Sequence, residues 1–358
     1  MDSFDQMFFS RVQELVRKSG GENIIDDSKI REVSDRILKD CKEALFEKLK
    51  SDAPRILKSH RRQGDGFCKR LNKRWKKPID LLELFLLISY EIGAELNRSN
   101  RDEASKNNDF LFDVLTRQHA RACQIGFEIL TLLKSGLADG AFARWRTLYE
   151  TVVISFLIKE YRLDLPERFL KYEIIESYKQ ALEYQKHCTR LGYKPLEAKE
   201  IQQLERLKTS LLKTYGKDFY KEYGWIPASI LSNPNFAKIE ALVKFDHLRP
   251  YYKMACFNVH SGPKSIRFKL GLIADSSKSQ VLLAGPSNFG LADPGQSMAI
   301  AMYQITVCLL STKPNVQHLV TIGVMQRLLD EICPAFVKVQ LKIEEEERFD
   351  SVRNKGQV

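Results

Sequence analysis

The sequence predicts a mostly α-helical protein, a helical bundle with at most one small β-hairpin. Apolar side chains recur every three or four residues through most of the chain, which is the period of an amphipathic helix. Short connections rich in glycine, proline and polar residues separate these segments, as expected between helices that pack together. Strand-like alternation is confined to residues 266–283, so the fold class is predicted to be mostly α.

At the N-terminus, helical spacing predicts a short amphipathic helix over residues 4–18 and a second helix over residues 27–49. Pro54 is expected to open a short basic helix, because proline is tolerated in a first turn. We expect that helix to end at the Gly-Asp-Gly step of residues 64–66, since glycine is a poor helix former.

Pro78 is a suitable first-turn residue for a strong helix over residues 79–97. The polar residues that follow, 98–102, mark a candidate domain boundary. We therefore expect a basic N-terminal helical region, a helical core domain and a disordered tail at residues 1–100, 101–350 and 351–358.

The stretch over residues 140–158 is predicted to form the central helix, because it is apolar on nearly every side and such helices are buried. It nevertheless carries Arg146 and Glu150, which are four residues apart and can therefore meet on one side of the helix. An ion pair in an apolar interior needs good geometry to offset its desolvation cost. This pair is therefore the first candidate for a functional site.

The remaining helices are predicted from the same period, with their ends marked by glycine, proline or polar residues. Residues 266–273 and 280–283 are expected to pair as the one small hairpin. The other predicted helices cover residues 109–134, 165–190, 195–213, 233–245, 251–260, 296–311 and 316–349.

The composition argues against several classes of protein. The seven cysteines are scattered singly, without a Cys-x-x-Cys pair, which is unlike a disulfide framework or a zinc ribbon. The longest apolar runs are shorter than the roughly 20 residues of a membrane-spanning helix. The N-terminus lacks a basic region followed by an apolar run, so no signal peptide is expected. We therefore expect a soluble, cytoplasmic protein that does not enter a membrane.

Most of the net charge of +11 comes from one basic segment, in which nine Lys or Arg residues and one acid, Asp65, lie between Lys58 and Lys77. Phe67 and Trp75 are interleaved with these cations, as in surfaces that combine phosphate contacts with base stacking. One interpretation is a surface for RNA or DNA, and the other is a solvated linker or a face for a partner protein. The candidate nucleic-acid-binding residues are Lys69, Arg70, Lys73, Arg74, Trp75, Lys76 and Lys77.

Common catalytic signatures are absent from the sequence. It holds no phosphate-binding loop of the Gly-x-x-x-x-Gly-Lys-Ser/Thr type, no Gly-x-Gly-x-x-Gly, no Gly-x-Ser-x-Gly and no His-Glu-x-x-His. None of the six histidines follows a glutamate by three residues, as the helices of a di-iron protein require. We therefore predict no metal site and no cofactor. Arg146, Glu150 and His260 remain as the candidate catalytic residues.

A resemblance to a known family runs through the central helix. Residues 119–158, and above all Ala143-Arg-Trp-Arg-Thr-Leu-Tyr-Glu-Thr151, resemble the bacterial family of uncharacterised domains numbered 5677 in the DUF series. Its pattern is Arg-x-Leu-x-Glu, followed much later by a Ser/Asn-x-x-His step. Arg146, Leu148 and Glu150 match the first part and His260 matches the second, within a resemblance that covers roughly residues 110–265. The sequence departs from the pattern at Cys256-Phe257, where a serine is usual.

That family resembles, more distantly, the helical ribonuclease and toxin folds grouped as HEPN domains, which recur in bacterial antiviral defence. In those folds a histidine handles a proton and an arginine stabilises charge on the phosphate. Their Arg-x4-6-His motif fits only Arg55 and His60 here, a match that chance alone accounts for in so arginine-rich a chain. A ribonuclease would instead need Arg146, Glu150 and His260 to converge from separate helices.

The sequence leaves two hypotheses open. The first is an RNase-like effector of a bacterial defence or toxin system, which uses Arg146, Glu150 and His260 and draws in RNA through the basic segment. The second is a non-catalytic helical scaffold or nucleic-acid-binding protein, in which Arg146 and Glu150 form a buried structural pair and His260 caps its helix. Both allow a homo-oligomer or a partner protein from a defence system. A shared cleft around the three side chains would favour the first hypothesis, and a sealed interior the second.

Overall fold

The computed structural model describes residues 27–272 and 282–355, together with residues 9, 10, 13, 14 and 17. This part of the chain forms ten α-helices and two short 3-10 helices and contains no strand, which confirms the predicted mostly α fold. The 3-10 helices are Lys217–Tyr220 and Asp246–Leu248. The α-helices are α1 (Asp27–Arg74), α2 (Lys76–Lys106), α3 (Phe110–Lys134), α4 (Ala138–Glu160), α5 (Leu165–His187), α6 (Ala198–Tyr215), α7 (Phe236–Leu242), α8 (Arg249–Cys256), α9 (Ala292–Leu310) and α10 (Val316–Lys355).

The chain divides into two compact units, Met1–Lys69 and Arg70–Val358. Residue 100, where the sequence suggested a boundary, lies inside the continuous helix α2. The expected tail over 351–358 is described as far as residue 355, and these residues continue α10. Residues 356–358 lie outside the described part of the chain.

Helix α1 is longer than the sequence predicted. It continues through Pro54 and through the Gly-Asp-Gly step at 64–66, where the prediction of a helix end was wrong. Glycine lowers helix stability by about 1 kcal/mol and an interior proline by about 3 kcal/mol, but neither makes a helical backbone impossible. The lysine, arginine and leucine residues on both sides of these positions favour the helix and carry it across them.

The small hairpin is not formed by the residues that the structure describes. Residues 266, 267, 270 and 271 lie in turns, and residues 268, 269, 282 and 283 have no regular structure. The intervening residues 273–281 lie outside the described part, as do most residues of the helix predicted over 4–18.

The core of the second unit is built around α4, which packs against α3 and α9. The connection from α3 turns at Gly136, whose φ of 75° lies in the left-handed region that glycine adopts without steric cost. On α4 the rings of Phe142, Trp145 and Tyr149 stack in succession, with centroid separations of 5.1 and 5.3 Å. All three rings are buried, as predicted for the apolar part of this helix.

A buried polar cluster joins α2, α3 and α9. The Nε2 atom of His119 lies 3.3 Å from Ser89 Oγ and 3.2 Å from Thr306 Oγ1, and these two hydroxyls lie 2.7 Å apart. Gly93 makes room for the imidazole, because a Cβ at that position would lie 2.4 Å from two ring atoms of His119. Complete burial lowers the pKa of His119 to about 4, so the folded protein holds this histidine neutral.

This histidine is expected to make stability depend on pH. Its pKa is about 4 when folded against an ordinary 6.5, so the unfolded chain binds the proton more readily. Its contribution is therefore complete above pH 6.5, and it falls as the pH drops towards 4, by up to roughly 3 kcal/mol. Urea unfolding across this pH range measures the loss. Proton NMR should show that the His119 signal, assigned with a His119→Gln variant, does not titrate between these two values, and titration near pH 6.5 would contradict the prediction.

Candidate functional site

Arg146 and Glu150 form an ion pair on one side of α4. The Nε atom of Arg146 donates to Glu150 Oε1 over 3.1 Å, as their spacing of four residues predicts. Their side chains retain 23% and 36% of their exposure, so the pair is partly open and is not sealed in the apolar interior that the second hypothesis assumed. The reason is that neighbouring helices cover the apolar sides of α4 and leave this side partly open.

Tyr252, on α8, hydrogen-bonds to both residues of the pair. Its hydroxyl donates to Glu150 Oε1 over 2.7 Å and accepts a hydrogen bond from Arg146 Nε over 3.1 Å. The guanidinium carbon lies 5.1 Å from the centroid of the tyrosine ring, within range of a cation–π interaction. The guanidinium is therefore held by a carboxylate, a hydroxyl and an aromatic ring.

His260 reaches the same place from the turn after α8. Its backbone N–H donates to the carbonyl of Cys256 over 3.0 Å, and its Nε2 atom lies 3.3 Å from an Nη atom of Arg146. A guanidinium only donates hydrogen bonds, so Nε2 must accept in this arrangement and the ring carries its proton on Nδ1. The imidazole is exposed to solvent. The three predicted catalytic residues thus converge from two separate segments, and with Tyr252 they form what we call the arginine cluster.

The electrostatics of the arginine cluster keep its hydrogen bonds in place. Burial alone would lower the pKa of Arg146, but the hydrogen bond with Tyr252 and the charge of Glu150 outweigh burial and raise it. Burial, followed by the hydrogen bond to Glu150, raises the pKa of Tyr252 above its ordinary value. The guanidinium therefore stays charged and the phenol keeps its proton over the whole physiological range.

A second polar layer lies beneath the arginine cluster. Glu240 on α7 is fully buried, and it pairs with Arg249 at the start of α8 and accepts a hydrogen bond of 3.0 Å from the hydroxyl of Tyr149 on α4. The ring of Tyr149 lies 5.7 Å from that of Tyr252. Burial raises the pKa of Glu240, although Tyr149 and Arg249 act in the opposite direction. This layer fastens α7 and α8 to the central helix, and so holds Tyr252 opposite Arg146.

Two tyrosines of this region were not among the site residues predicted from the sequence. Tyr252 was a detectable candidate, because Tyr252, Cys256 and His260 follow at steps of four residues, which places them on one side of a helix. Tyr223 carried no such signal. It lies in the irregular segment after α6 with a φ of 54°, which is uncommon for a residue other than glycine. Burial, and then the charges of Glu222 and Glu150, raise the pKa of Tyr223, so its hydroxyl lies within electrostatic range of the arginine cluster.

The predicted nucleic-acid-binding residues differ in burial and pairing: one is buried, two form salt bridges and four are exposed without a described salt bridge. Trp75 does not fit its predicted role as a stacking residue. Its indole is fully buried, packs 5.9 Å from the ring of Phe336 and donates to the carbonyl of Asn288 over 3.1 Å. It is therefore not free to stack on a base. Arg74 is paired with Glu346 at 2.6 Å, and Lys76 is paired with Asp80. The other predicted cations are exposed, and their role stays a prediction: Lys69, Arg70, Lys73 and Lys77.

The described residues provide neither a metal-binding cluster nor a membrane span. No group of three or more His, Cys, Asp or Glu side chains among them lies close enough together to hold a metal ion. None of the helices in the described ranges is both long and apolar enough to cross a membrane.

Comparison with known proteins supports the resemblance seen in the sequence. Residues 112–278, a little under half of the chain, match the model of a family described as "Family of unknown function (DUF5677)". The matched region begins in α3 and contains all four residues of the arginine cluster. Neither the curated proteins nor the solved structures include a match to the chain. The more distant likeness to HEPN folds stays a prediction.

The two polar layers are expected to differ in their contribution to stability. Glu150 is partly exposed, so Glu150→Gln should lower the free energy of unfolding by about 1 kcal/mol or less. Glu240 is fully buried and bonded to a charged group, so Glu240→Gln should cost about 1.5 to 3 kcal/mol. Chemical denaturation of the two variants at one pH makes the comparison. Equal costs would mean that the Arg146–Glu150 pair is as structural as the buried layer.

Proposed function

We propose that the arginine cluster is a phosphodiester-cleaving site that acts on RNA. The observation that supports this best is the 3.3 Å contact between the Nε2 atom of His260 and the guanidinium of Arg146, at a partly exposed position. This contact combines an imidazole that can accept a proton with a cation that can hold a phosphate.

The proposed reaction begins when a phosphate oxygen of the RNA replaces His260 as the acceptor of the hydrogen bond from Arg146 Nη, and the guanidinium keeps its proton. The Nε2 lone pair is then free to accept the proton of the neighbouring 2′-hydroxyl. The 2′-oxygen forms a bond to phosphorus while the bond from phosphorus to the 5′-oxygen breaks, and this leaving oxygen takes a proton from solvent. Arg146 offsets the negative charge that develops on the phosphate. The products are a 2′,3′-cyclic phosphate and a 5′-hydroxyl.

Glu150 and Tyr252 have a positioning role in this proposal. Both hydrogen-bond to the Nε edge of Arg146, which leaves its Nη edge to face His260 and the phosphate. A guanidinium held in advance loses less conformational freedom when it binds the charged phosphate.

The choice of RNA, and of a bacterial defence or toxin effector as the setting, comes from the likeness to HEPN folds. The matched family has no described function, so it supports neither RNA as the substrate nor a defence setting. The convergence of an arginine and a histidine from separate segments is the arrangement that such a ribonuclease would need in the absence of the single-helix motif.

A non-catalytic role is the alternative. One observation favours it: Arg146, Glu150, Tyr252 and His260 already bond to one another, so the cluster also serves to join α4 to α8 and the turn after it. In that case the protein is a helical scaffold or a nucleic-acid-binding protein, and its partly exposed polar residues are architectural.

Incubation of the purified protein with labelled total RNA tests the proposal. We expect cleavage that leaves 2′,3′-cyclic phosphate ends and that stops on DNA or on 2′-O-methyl RNA, because both lack the attacking hydroxyl. Arg146→Ala and His260→Ala should each lower the rate by a factor of about 100 or more, the usual effect of losing a proton-transfer or charge-stabilising group.

The control is His187→Ala, because His187 is exposed on α5 and contacts Glu183 rather than the arginine cluster. This variant should cut RNA at the parent rate. Cleavage that survives both cluster variants, or a parent protein that cuts no RNA while folded, would contradict the proposed function.

A further inference from the structure

The segment that carries His260 is strongly cationic. Between His247 and Ala274 the sequence contains five Lys or Arg residues and no Asp or Glu. Arg249 belongs to the buried layer through its pair with Glu240. The other four follow the chain past the arginine cluster: Lys253, Lys264, Arg267 and Lys269.

These four cations form no ion pair with a described carboxylate. Lys253, Lys264 and Arg267 are exposed and Lys269 is half-buried. In the described residues none of them forms a salt bridge, whereas Arg74 and Lys76 of the basic segment each do. The cations next to His260 are therefore not held in ion pairs by the described residues, and their positive charge attracts a polyanion.

Local contacts hold this segment against the end of α8. The Nζ atom of Lys264 lies 4.4 Å from the ring centroid of Phe257, and the rings of Phe257 and Phe268 lie 6.1 Å apart. The backbone N–H of Phe268 donates to the carbonyl of Lys264 over 2.9 Å, so these residues form a tight turn. The turn folds back on Phe257, which lies three residues before His260 in the chain.

A second contact ties the segment to the central helix. The backbone N–H of Leu270 donates to Asp139 Oδ1, in the first turn of α4, over 3.0 Å. Arg146 lies about two turns further along the same helix and contacts His260. The segment is therefore attached to α4 at His260 and at Leu270, and Lys264, Arg267 and Lys269 lie between these two points in the chain.

We propose that residues 253–269 form the surface that binds the phosphate backbone of single-stranded RNA and delivers it to the arginine cluster. This inference rests on the proposed function, since it names the surface through which that site takes its substrate. The negatively charged phosphates of RNA can pair with these cations, which form no salt bridge with the described residues. Val259 and Ile266 lie between these cations with 48% and 74% of their surface exposed, and they offer apolar contact to unstacked bases.

The proposal differs from the expectation that the basic segment over residues 58–77 draws in the RNA. Of its two expected stacking residues, Trp75 is fully buried and Phe67 is half-buried. It still offers a matched comparison, since Arg70, Lys73 and Lys77 are exposed cations outside any described salt bridge, as are Lys253, Lys264 and Arg267.

The test measures binding apart from cleavage. Fluorescence anisotropy with a labelled 2′-O-methyl single-stranded RNA reports the Kd of the intact protein, because this RNA lacks the attacking hydroxyl. The combined variant Lys253→Glu, Lys264→Glu, Arg267→Glu should raise the Kd about tenfold or more at about 0.1 M salt, because it removes phosphate contacts. The slope of log Kd against log salt should fall by about 2, since each lost phosphate contact on a single strand removes about 0.7.

The control is the combined variant Arg70→Glu, Lys73→Glu, Lys77→Glu, which makes the same change of charge outside the proposed surface. It should change the Kd by less than about threefold, because only the long-range field of the protein is altered. Circular dichroism and thermal melting verify that both variants are folded.

Three results would overturn the proposal. An equal or larger effect of the control would assign RNA binding to the basic segment. An unchanged Kd in the first variant would remove the proposed surface. Binding to vesicles of phosphatidylcholine and phosphatidylserine in place of RNA would assign the cations to a lipid surface.

The outcome is distinguishable from that of the proposed function. If the protein binds the RNA through these cations but cuts none, the binding surface stands and the cleavage proposal fails. If the protein cuts RNA at the parent rate after the three substitutions, the cleavage proposal stands and the binding surface fails.

Discussion

Helix α4 carries Arg146 and Glu150 on one side of a largely apolar surface, and the second compact unit depends on how that side is covered. Its aromatic and aliphatic side chains are buried against α3 and α9, which is the main hydrophobic contribution to the core. Arg146 and Glu150 cannot be buried in the same way, because unpaired charges in a core are costly. The chain meets this constraint with short helices, α7 and α8, that bring polar partners to the charged side.

These polar residues form two layers, one fully buried and one partly exposed. The fully buried Glu240 satisfies Tyr149 and Arg249, whereas the partly exposed Glu150 satisfies Arg146 and Tyr252. The inner layer therefore fixes the position of α8, and the outer layer is left to face solvent. Such a division suits a functional site, since the residues that hold the structure are separate from those that a ligand can reach.

The outer layer, which is the arginine cluster, combines three properties that a phosphate-binding site needs. Its arginine is held in place, its imidazole is exposed with an acceptor nitrogen towards the arginine, and the adjoining segment carries unpaired cations. None of these properties alone distinguishes a site from a structural contact, because ion pairs on helices are common. Their coincidence where residues 249–270 meet Arg146 on α4 is what connects the proposed cleavage with the proposed binding surface.

The sequence by itself determined the fold class and most helices, because helical periodicity is a local property of each segment. It also singled out Arg146, Glu150 and His260, the first two by their spacing and the third by resemblance. It could not show that His260 meets Arg146 across 114 positions, that Trp75 is buried, or that the Arg146–Glu150 pair is partly open. Those features depend on which helices cover α4, and long-range packing of this kind leaves no periodic signal in a single chain.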